Sequence, residues 1–511
     1  MKKLSSKILR LFLFGLILLI PVSCNLDYDL TDSITADKIL NSTDGLEQIC
    51  NGNLALMKAR LQFQGQFNGG NSIYIRQYFY SSEFASDNVV CGHITPDPLF
   101  LSFTYEHNPT QLDMGYFWWV SYKIIASANT VITMYEEDRI ADLTPARKQM
   151  IGENYFIRAF AYFSLLNFYA KQYAIDPQAP GVPLRLTNTE GSQLARSTVG
   201  ECYDQLLSDL QSAEGLMSKE TDRGVAYPSI GAVYAFLSRV YLYMEDNDNA
   251  IIYADKVFEL GTYEIDDDFA AYFPNAALGR KETIWCLKFL DEDVIQATQG
   301  ALSSMYNTAG GGWGEEFVSD PLRKLFDDRP WDTRGAYLLD SISAGLYKDG
   351  VKVMYMSKFN DQNGIPTLTS PVFFRLSEVL LNRAEAYAKN GEGVKALDEL
   401  DELNSRRGYT ADKLYNGSVP PGSTALDEVL LTRRLELAFE GQRKFDLLRN
   451  RQDLNRQYWG YHIPNLVPAD IDYNTVPEKN SATFITWDDP RNLFYIPAQE
   501  TDLNKACVQN E

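Results

Sequence analysis

Three stretches far apart in the chain, "YFIRAFAYFSLLNFY", "FLSRVYLYMEDN" and "LLNRAEAYAKNG", each carry an arginine four residues ahead of a tyrosine: Arg158/Tyr162, Arg239/Tyr243 and Arg383/Tyr387. Residues four apart lie on one face of an α-helix. Each arginine is followed by a small or branched apolar residue, Ala159, Val240 or Ala384. The copies stand 81 and 144 residues apart, so related helical units are separated by long insertions and do not form a regular tandem array.

The third copy shows what the unit is. "RLSEVLLNRAEAYAKNG" sets Leu376, Leu380, Ala384 and Tyr387 at helical steps and halts at Gly391. "GVKALDELDELNSRRG" follows, with Val394, Leu397 and Leu400 on one face and Arg406-Arg407-Gly408 at its end. A basic last turn followed by glycine closes a helix: the cations face the carbonyl end of the dipole, and glycine accepts the left-handed backbone. Two helices joined by a short glycine turn make an antiparallel hairpin. The spacing of Ala384, Tyr387 and Ala396 fits a tetratricopeptide hairpin, and Val240, Tyr243 and Ala250 come close with a shorter turn. The sequence therefore predicts a mainly α fold of tetratricopeptide-like helical hairpins. Residues 62–116 and 260–372 are rich in glycine, proline, asparagine and aromatics, around short pieces such as "TIWCLKF" and "VKVMYMSKF". They predict a loop-rich face with short β-hairpins carried on the helices.

The N-terminal residues fix the expected location. The apolar run from Leu11 to Val22 is shorter than the ~20 residues a membrane-spanning helix needs, and it follows Lys2, Lys3, Lys7 and Arg10. A basic flank, a short apolar stretch and a small-residue exit predict a signal peptide over 1–23. Val22-Ser23-Cys24 resembles a bacterial lipobox, in which the thiol of Cys24 takes a diacylglycerol and becomes the new N-terminus. Several acyl chains on one residue give lasting attachment where a single chain does not. Residues 24–45 then read as a polar tether, 46–260 as an N-terminal region of helical hairpins and 261–511 as a C-terminal region. Residues 46–511 together are expected to form one compact unit.

Composition excludes several classes of function. The net charge of −21 becomes −25 once residues 1–23, with four basic and no acidic side chains, are removed. Such a surface repels phosphate backbones, so no nucleic-acid partner is expected. Beyond Cys24 the cysteines are Cys50, Cys91, Cys202, Cys286 and Cys507, an odd number without a CxxC pair. This argues against a disulfide framework or a zinc site and for small buried hydrophobes. The three histidines, His93, His107 and His462, stand in no HExxH, and there is no GxSxG, Walker or GxGxxG sequence. Nothing in the sequence points to an enzyme, a metal or a cofactor.

Five motifs, in order, resemble the SusD/RagB family of surface nutrient-binding lipoproteins. "YFWWVSYKIIASANTVI" carries Trp118, Tyr122, Ile125 and Asn129 at the family's spacing, and "GENYFIRAFAYFSLLNFYA" leads on to Val182-Pro183-Leu184. "FFRLSEVLLNRAEAYAKNG", "RRLELAFEGQRKFDLLR" and "NLFYIPAQETDLN" supply the rest. The resemblance implies a SusD-like fold on the outer membrane, lipid-anchored and facing the cell exterior. It also implies oligosaccharide binding and delivery to a SusC-like TonB-dependent outer-membrane barrel. The alternatives are a RagB-like peptide-binding component or a helical scaffold of the transporter that binds no nutrient.

A binder of neutral oligosaccharides needs flat amphipathic rings and amides on a rigid edge. Trp313 in "GGGWGEE" fits best, because glycines on both sides let the indole stand out. Tyr306 and Asn307 would add a ring and an amide, and His93, Phe103 and Tyr105 fall where the family's N-terminal binding loop lies. Asp87 is read as a turn cap, Trp118, Trp119 and Trp285 as core, and Trp331 as either platform or core. Glu436, Glu440, Arg443, Asp446 and Arg449, at helical separations, are read as an ion-pair network that fixes helix packing or, alternatively, as part of a partner surface.

Overall fold

The computed structural model describes residues 36–42, 44–65, 73–91, 98–293, 302–306, 308–340, 353–457, 479 and 483–510. The long helices are α1 (Gly45–Lys58), α2 (Tyr74–Glu83), α3 (Leu112–Glu136), α4 (Pro145–Tyr169), α5 (Val199–Leu216), α6 (Ile230–Tyr243) and α7 (Asn247–Glu259). In the C-terminal half follow α8 (Leu376–Lys389), α9 (Gly393–Ser405), α10 (Ala425–Leu437) and α11 (Arg443–Arg449). Local chemistry sets their ends. Thr144 caps α4 ahead of Pro145, and Thr198 with Glu201 forms a capping box on α5. Gly391, at φ +79°, turns α8 into α9 as the sequence predicts.

The recurrent arginines explain how the helices are joined. Arg158 of α4 grips Asp209 of α5 at 2.6 and 2.8 Å and Asn129 of α3 at 2.9 Å. Arg239 of α6 holds Glu378 of α8 at 2.6 and 2.7 Å. Arg383 of α8 reaches Asp255 of α7 and Glu399 of α9. Each copy of the motif therefore bolts its helix to others, and the first two do so with almost no solvent access. The motif on α3 does similar work through side-chain donors. Tyr122 and Asn129 donate to the carbonyls of Pro183 and Arg185, which lays the Val182-Pro183-Leu184 segment along the helix.

Most apolar side chains form one cluster running from Leu40 to Cys507. Its centre is aromatic, with Trp285 stacked on Phe373 at 4.6 Å and in edge contact with Phe156 and Phe160. The α8–α9 hairpin and α10 form a second cluster around Leu380, Ala384, Leu397 and Leu400. Val394, expected on that buried face, is 61 % exposed, because it lies in the first turn of α9 before the hairpin closes.

The strands are short and antiparallel. β1 (Val89–Cys91) pairs with β3 (Glu316–Val318), and β2 (Thr283–Cys286) with β6 (Val372–Arg375). β4 (Leu338–Asp340) pairs with β5 (Met354–Met356), and β7 (Leu454–Asn455) with β8 (Phe484–Ile485).

Two expectations need correction. Residues Ala36–Leu40, assigned to the tether, are helical, and Leu40 is fully buried in the core. Within 62–116, read as loops and short hairpins, α2 is a helix buried on nearly every side, so its sequence lacks the polar face that would announce it. The five described cysteines are free and buried, as small hydrophobes would be. Among the described residues no helix is long and apolar enough to cross a membrane.

The ion-pair network in α10 and α11 lies inside the protein. Glu436 accepts from Arg375 at 2.6 Å, from Arg407 at 2.9 Å and from Arg334 at 3.4 Å. Glu440 pairs with Arg375 and Lys358, and Glu282 with Arg375 and Arg407. Further along, Asp446 and Glu385 enclose Arg449 and Arg433. These groups fasten β6, α8, α10 and α11 to one another and to the residues just before β2 and just after α9, the packing role the sequence favours, although as buried and not exposed pairs.

Candidate functional site

The loop face is assembled from two segments more than two hundred residues apart in sequence. β1 and β3 meet with Val89 opposite Val318 and Cys91 opposite Glu316. Ser319 extends the contact, donating its hydroxyl to the Asp87 carbonyl at 2.7 Å. Asp87 is not a turn cap: its carboxylate takes a bidentate pair from Arg443 at 2.7 and 2.9 Å, with Arg434 at 3.4 Å. Burial would raise its pKa, but the two guanidiniums outweigh burial and hold it below the usual carboxylate range. The aspartate thereby fastens the loop face to α10 and α11.

Trp313 stands on a turn with little freedom. Its backbone N–H and that of Gly314 both donate to the Ser304 carbonyl, at 2.5 and 2.9 Å. Gly310, Gly311 and Gly314 have φ of +61°, +85° and +56°, and a Cβ on Gly314 would lie 2.7 Å from Thr308 Cγ2 and 2.9 Å from Tyr355 Oη. The left-handed backbone and this close approach both require glycine. The result is an indole 45 % exposed on a rigid base, the one tryptophan among the large apolar residues exposed on the described surface. Gly314→Ala is expected to destabilise the protein by ~1–2 kcal/mol and to displace the Trp313 turn. Urea unfolding followed by circular dichroism checks the first effect, and a crystal structure of the variant the second.

The other aromatic candidates have packing roles. Tyr306 is fully buried beneath this turn, in edge contact with Tyr80 at 5.3 Å and Phe439 at 5.0 Å. Phe103 is also fully buried, and its carbonyl, with those of Phe84 and Ser86, accepts from Arg456. Tyr105 is 3 % exposed and donates its hydroxyl to Ala85 O at 2.8 Å. None of these three rings offers an open face to a ligand, because the insertions that carry them fold back on the helices. His93, Asn307 and Cys24 lie outside the described residues. Trp118 and Trp285 are buried, and Trp119 packs against the core. Trp331 is half-buried, in edge contact with Tyr409 at 6.0 Å.

Sequence reasoning missed Lys444, a buried amine near the rings of Tyr105 and Phe494 with no hydrogen-bond acceptor among the described residues. Burial, reinforced by the Arg456 charge, pushes its pKa down to about 7. Among the described residues no group of three or more histidine, cysteine, aspartate or glutamate side chains could hold a metal ion.

Residues 67–242 match the family model described as "Starch-binding associating with outer membrane", and residues 350–511 match the one described as "SusD family". The chain belongs to the SusD family. It is 24 % identical over 451 residues to SusD-like protein P38 of Formosa agariphila, covering 77 % of this chain and 84 % of that protein. A SusD superfamily protein from Bacteroides thetaiotaomicron superposes with a TM-score of 0.78 at 25 % identity, over 92 % of this chain and 99 % of the other. Surface glycan-binding protein A of Bacteroides uniformis shares the fold, with a TM-score of 0.68 at 20 % identity, over 92 % of this chain and 99 % of that one. The SusD-family motifs thus have concrete duties here. In "IPAQETDLN", Ile496 is core, Glu500 accepts from the Trp118 indole, and Asn504 exchanges two hydrogen bonds with the Leu194 backbone.

Proposed function

We propose that this SusD-family chain captures oligosaccharides at the cell surface and passes them to a SusC-like TonB-dependent outer-membrane barrel, held to the membrane by lipid on Cys24. The observation that carries the reading is Trp313, a large flat apolar ring exposed on a turn braced by two backbone hydrogen bonds. An indole in this setting stacks on the CH face of a sugar and loses little conformational entropy on doing so. The name of the Bacteroides uniformis relative favours a saccharide over a peptide. The chain itself is a binder and not a catalyst, and the helical-hairpin side is the side that meets the barrel.

Calorimetry of the mature soluble form against panels of plant, host and microbial oligosaccharides, with peptides alongside, tests this. Trp313→Ala is expected to weaken binding of the recognised sugar ~30-fold, by the ~2 kcal/mol of a binding hot spot, with the melting temperature unchanged. Heat with peptides alone would reassign the ligand class, and silence across both panels would leave a scaffold. Loss of intact oligosaccharide during the titration would make the protein an enzyme.

A further inference from the structure

β3, which carries the Trp313 turn toward β1, touches β5 on its other side, and β5 pairs with β4. Beyond this second pair a cleft of about 690 Å³ opens, walled by Leu338 of β4 and Met354 of β5, the short helices Phe269–Asn275 and Asp320–Asp327, and Trp331. Trp313 is not among its walls. The volume lies in the ~300–1,000 Å³ range of small-molecule sites.

Trp331 is held on a fixed frame. A Cβ on Gly408, whose φ is +87°, would lie 2.3 Å from the Trp331 carbonyl, so the chain crosses there at a distance only glycine allows. Thr333 N–H donates to Arg407 O at 3.0 Å, and the neighbouring Asp332 is locked on buried Arg334 at 2.7 and 2.8 Å. The Trp331 indole N–H is shielded from solvent and has no acceptor among the described residues.

The polar walls carry unused or weakly held groups. Among the described residues Arg329 uses one guanidinium nitrogen, on Leu325 O at 3.0 Å. Asp327 and Asp267 pair with Arg323 and Arg406 at exposed positions, where ion pairs contribute ~1 kcal/mol or less and carboxylates re-aim readily. A ring, an apolar strand edge, a guanidinium and re-aimable carboxylates are the groups that a sugar's CH face and hydroxyls require. Asp267, Asp268, Asp327 and Asp332 outnumber Arg323 and Arg329 in the walls, which disfavours an anionic ligand.

We propose that this cleft is a second saccharide subsite, taking one or two neutral sugar residues of a polymer that also contacts Trp313. The proposal rests on the saccharide-binding reading above and adds that two separate points hold one chain. Two linked contacts make the second one intramolecular, so long polymers bind far more tightly than short fragments at either site.

The test uses the soluble mature protein in native gels cast with soluble starch, xylan or laminarin, with alginate as the anionic control. Tri- and tetrasaccharides of the retained polymer then go to calorimetry. The variants are Trp331→Ala and Ala336→Glu, the latter at an exposed residue of the cleft wall. Each is expected to weaken polymer retention by at least ~10-fold and to lower the fragment stoichiometry from about two to about one. Ala336→Glu decides the matter should Trp331→Ala fail to fold. Unchanged retention and stoichiometry in folded variants, with Trp313→Ala still weakening binding, overturn the second subsite alone. Retention on alginate alone overturns the neutral-sugar assignment. Absence of retention on every polymer overturns the subsite together with the saccharide reading.

Discussion

Replacing Glu436 with alanine is expected to cost ~3–5 kcal/mol of stability, the usual penalty for removing one partner of a buried ion pair. Glu436 is fully buried and accepts from three guanidiniums, those of Arg375, Arg407 and Arg334. Truncation leaves the buried cluster one negative charge short, with Arg375, Arg407 and Arg334 sharing only Glu282, Glu440 and Asp332 where water cannot screen them. Burial alone would raise the Glu436 pKa, but Arg407 and Arg375 outweigh it and hold the carboxyl well below its ordinary 4.5. Glu440 is lowered in the same manner by Arg375 and Lys358. The unfolded chain therefore takes up protons on these groups before the folded protein does. Their contribution is fully present above about pH 4.5 and is lost as the pH falls below it toward the folded values. Thermal unfolding from pH 7 down to pH 3 should show a steep fall in the parent protein. The variant, already weakened at pH 7, should show a shallower one.

The opposite sign is expected at Lys444. Its ammonium would sit among Tyr105, Phe494 and Leu447 with no acceptor among the described residues, so folding at or below pH 7 carries the cost of burying its charge. Lys444→Met fills a similar volume without the charge and is expected to stabilise the protein by on the order of 3 kcal/mol at pH 6. Between the folded pKa of about 7 and the ordinary 10.5, the unfolded chain holds a proton that the folded protein has released. Raising the pH through this window therefore favours the folded parent protein, and the gap between it and the variant should narrow from pH 6 to pH 9. Urea unfolding of both proteins at the two pH values measures that gap. A gap that stays constant would mean that the amine finds an acceptor when charged.

The helical scaffold was legible because its signals are local. The apolar steps of α8 and α9, the glycine turn between them and the repeated arginine–tyrosine pairs all lie within a few residues of one another. The duties of those arginines were not legible, since Asp209, Glu378 and Asp255 are partners supplied by other helices. Trp313 could be singled out because its glycine flanks act on the immediate backbone. Phe103, Tyr105 and Tyr306 misled for the converse reason. Their glycine-, proline- and serine-containing neighbourhoods look exposed, but Arg456, Tyr80 and Phe439 come from distant parts of the chain to cover them. Trp331 stayed open between core and platform because the residues that fix it, Gly408 and Arg407, follow more than seventy-five positions later.

The segment from Phe494 to Asn510 closes against helices formed far earlier in the chain. The Phe494 N–H donates to Phe168 O, Asn510 reaches Tyr169 O, and Asn504 clasps Leu194 across a separation of 310 residues. Contacts of such length pay their loop-closure entropy before returning any enthalpy, which makes them late events in folding. A nascent chain lacking this segment carries α3 and α4 with a greasy seam still open. Such a chain is a client for chaperones, and proteolysis of a stalled or truncated product should begin at that seam.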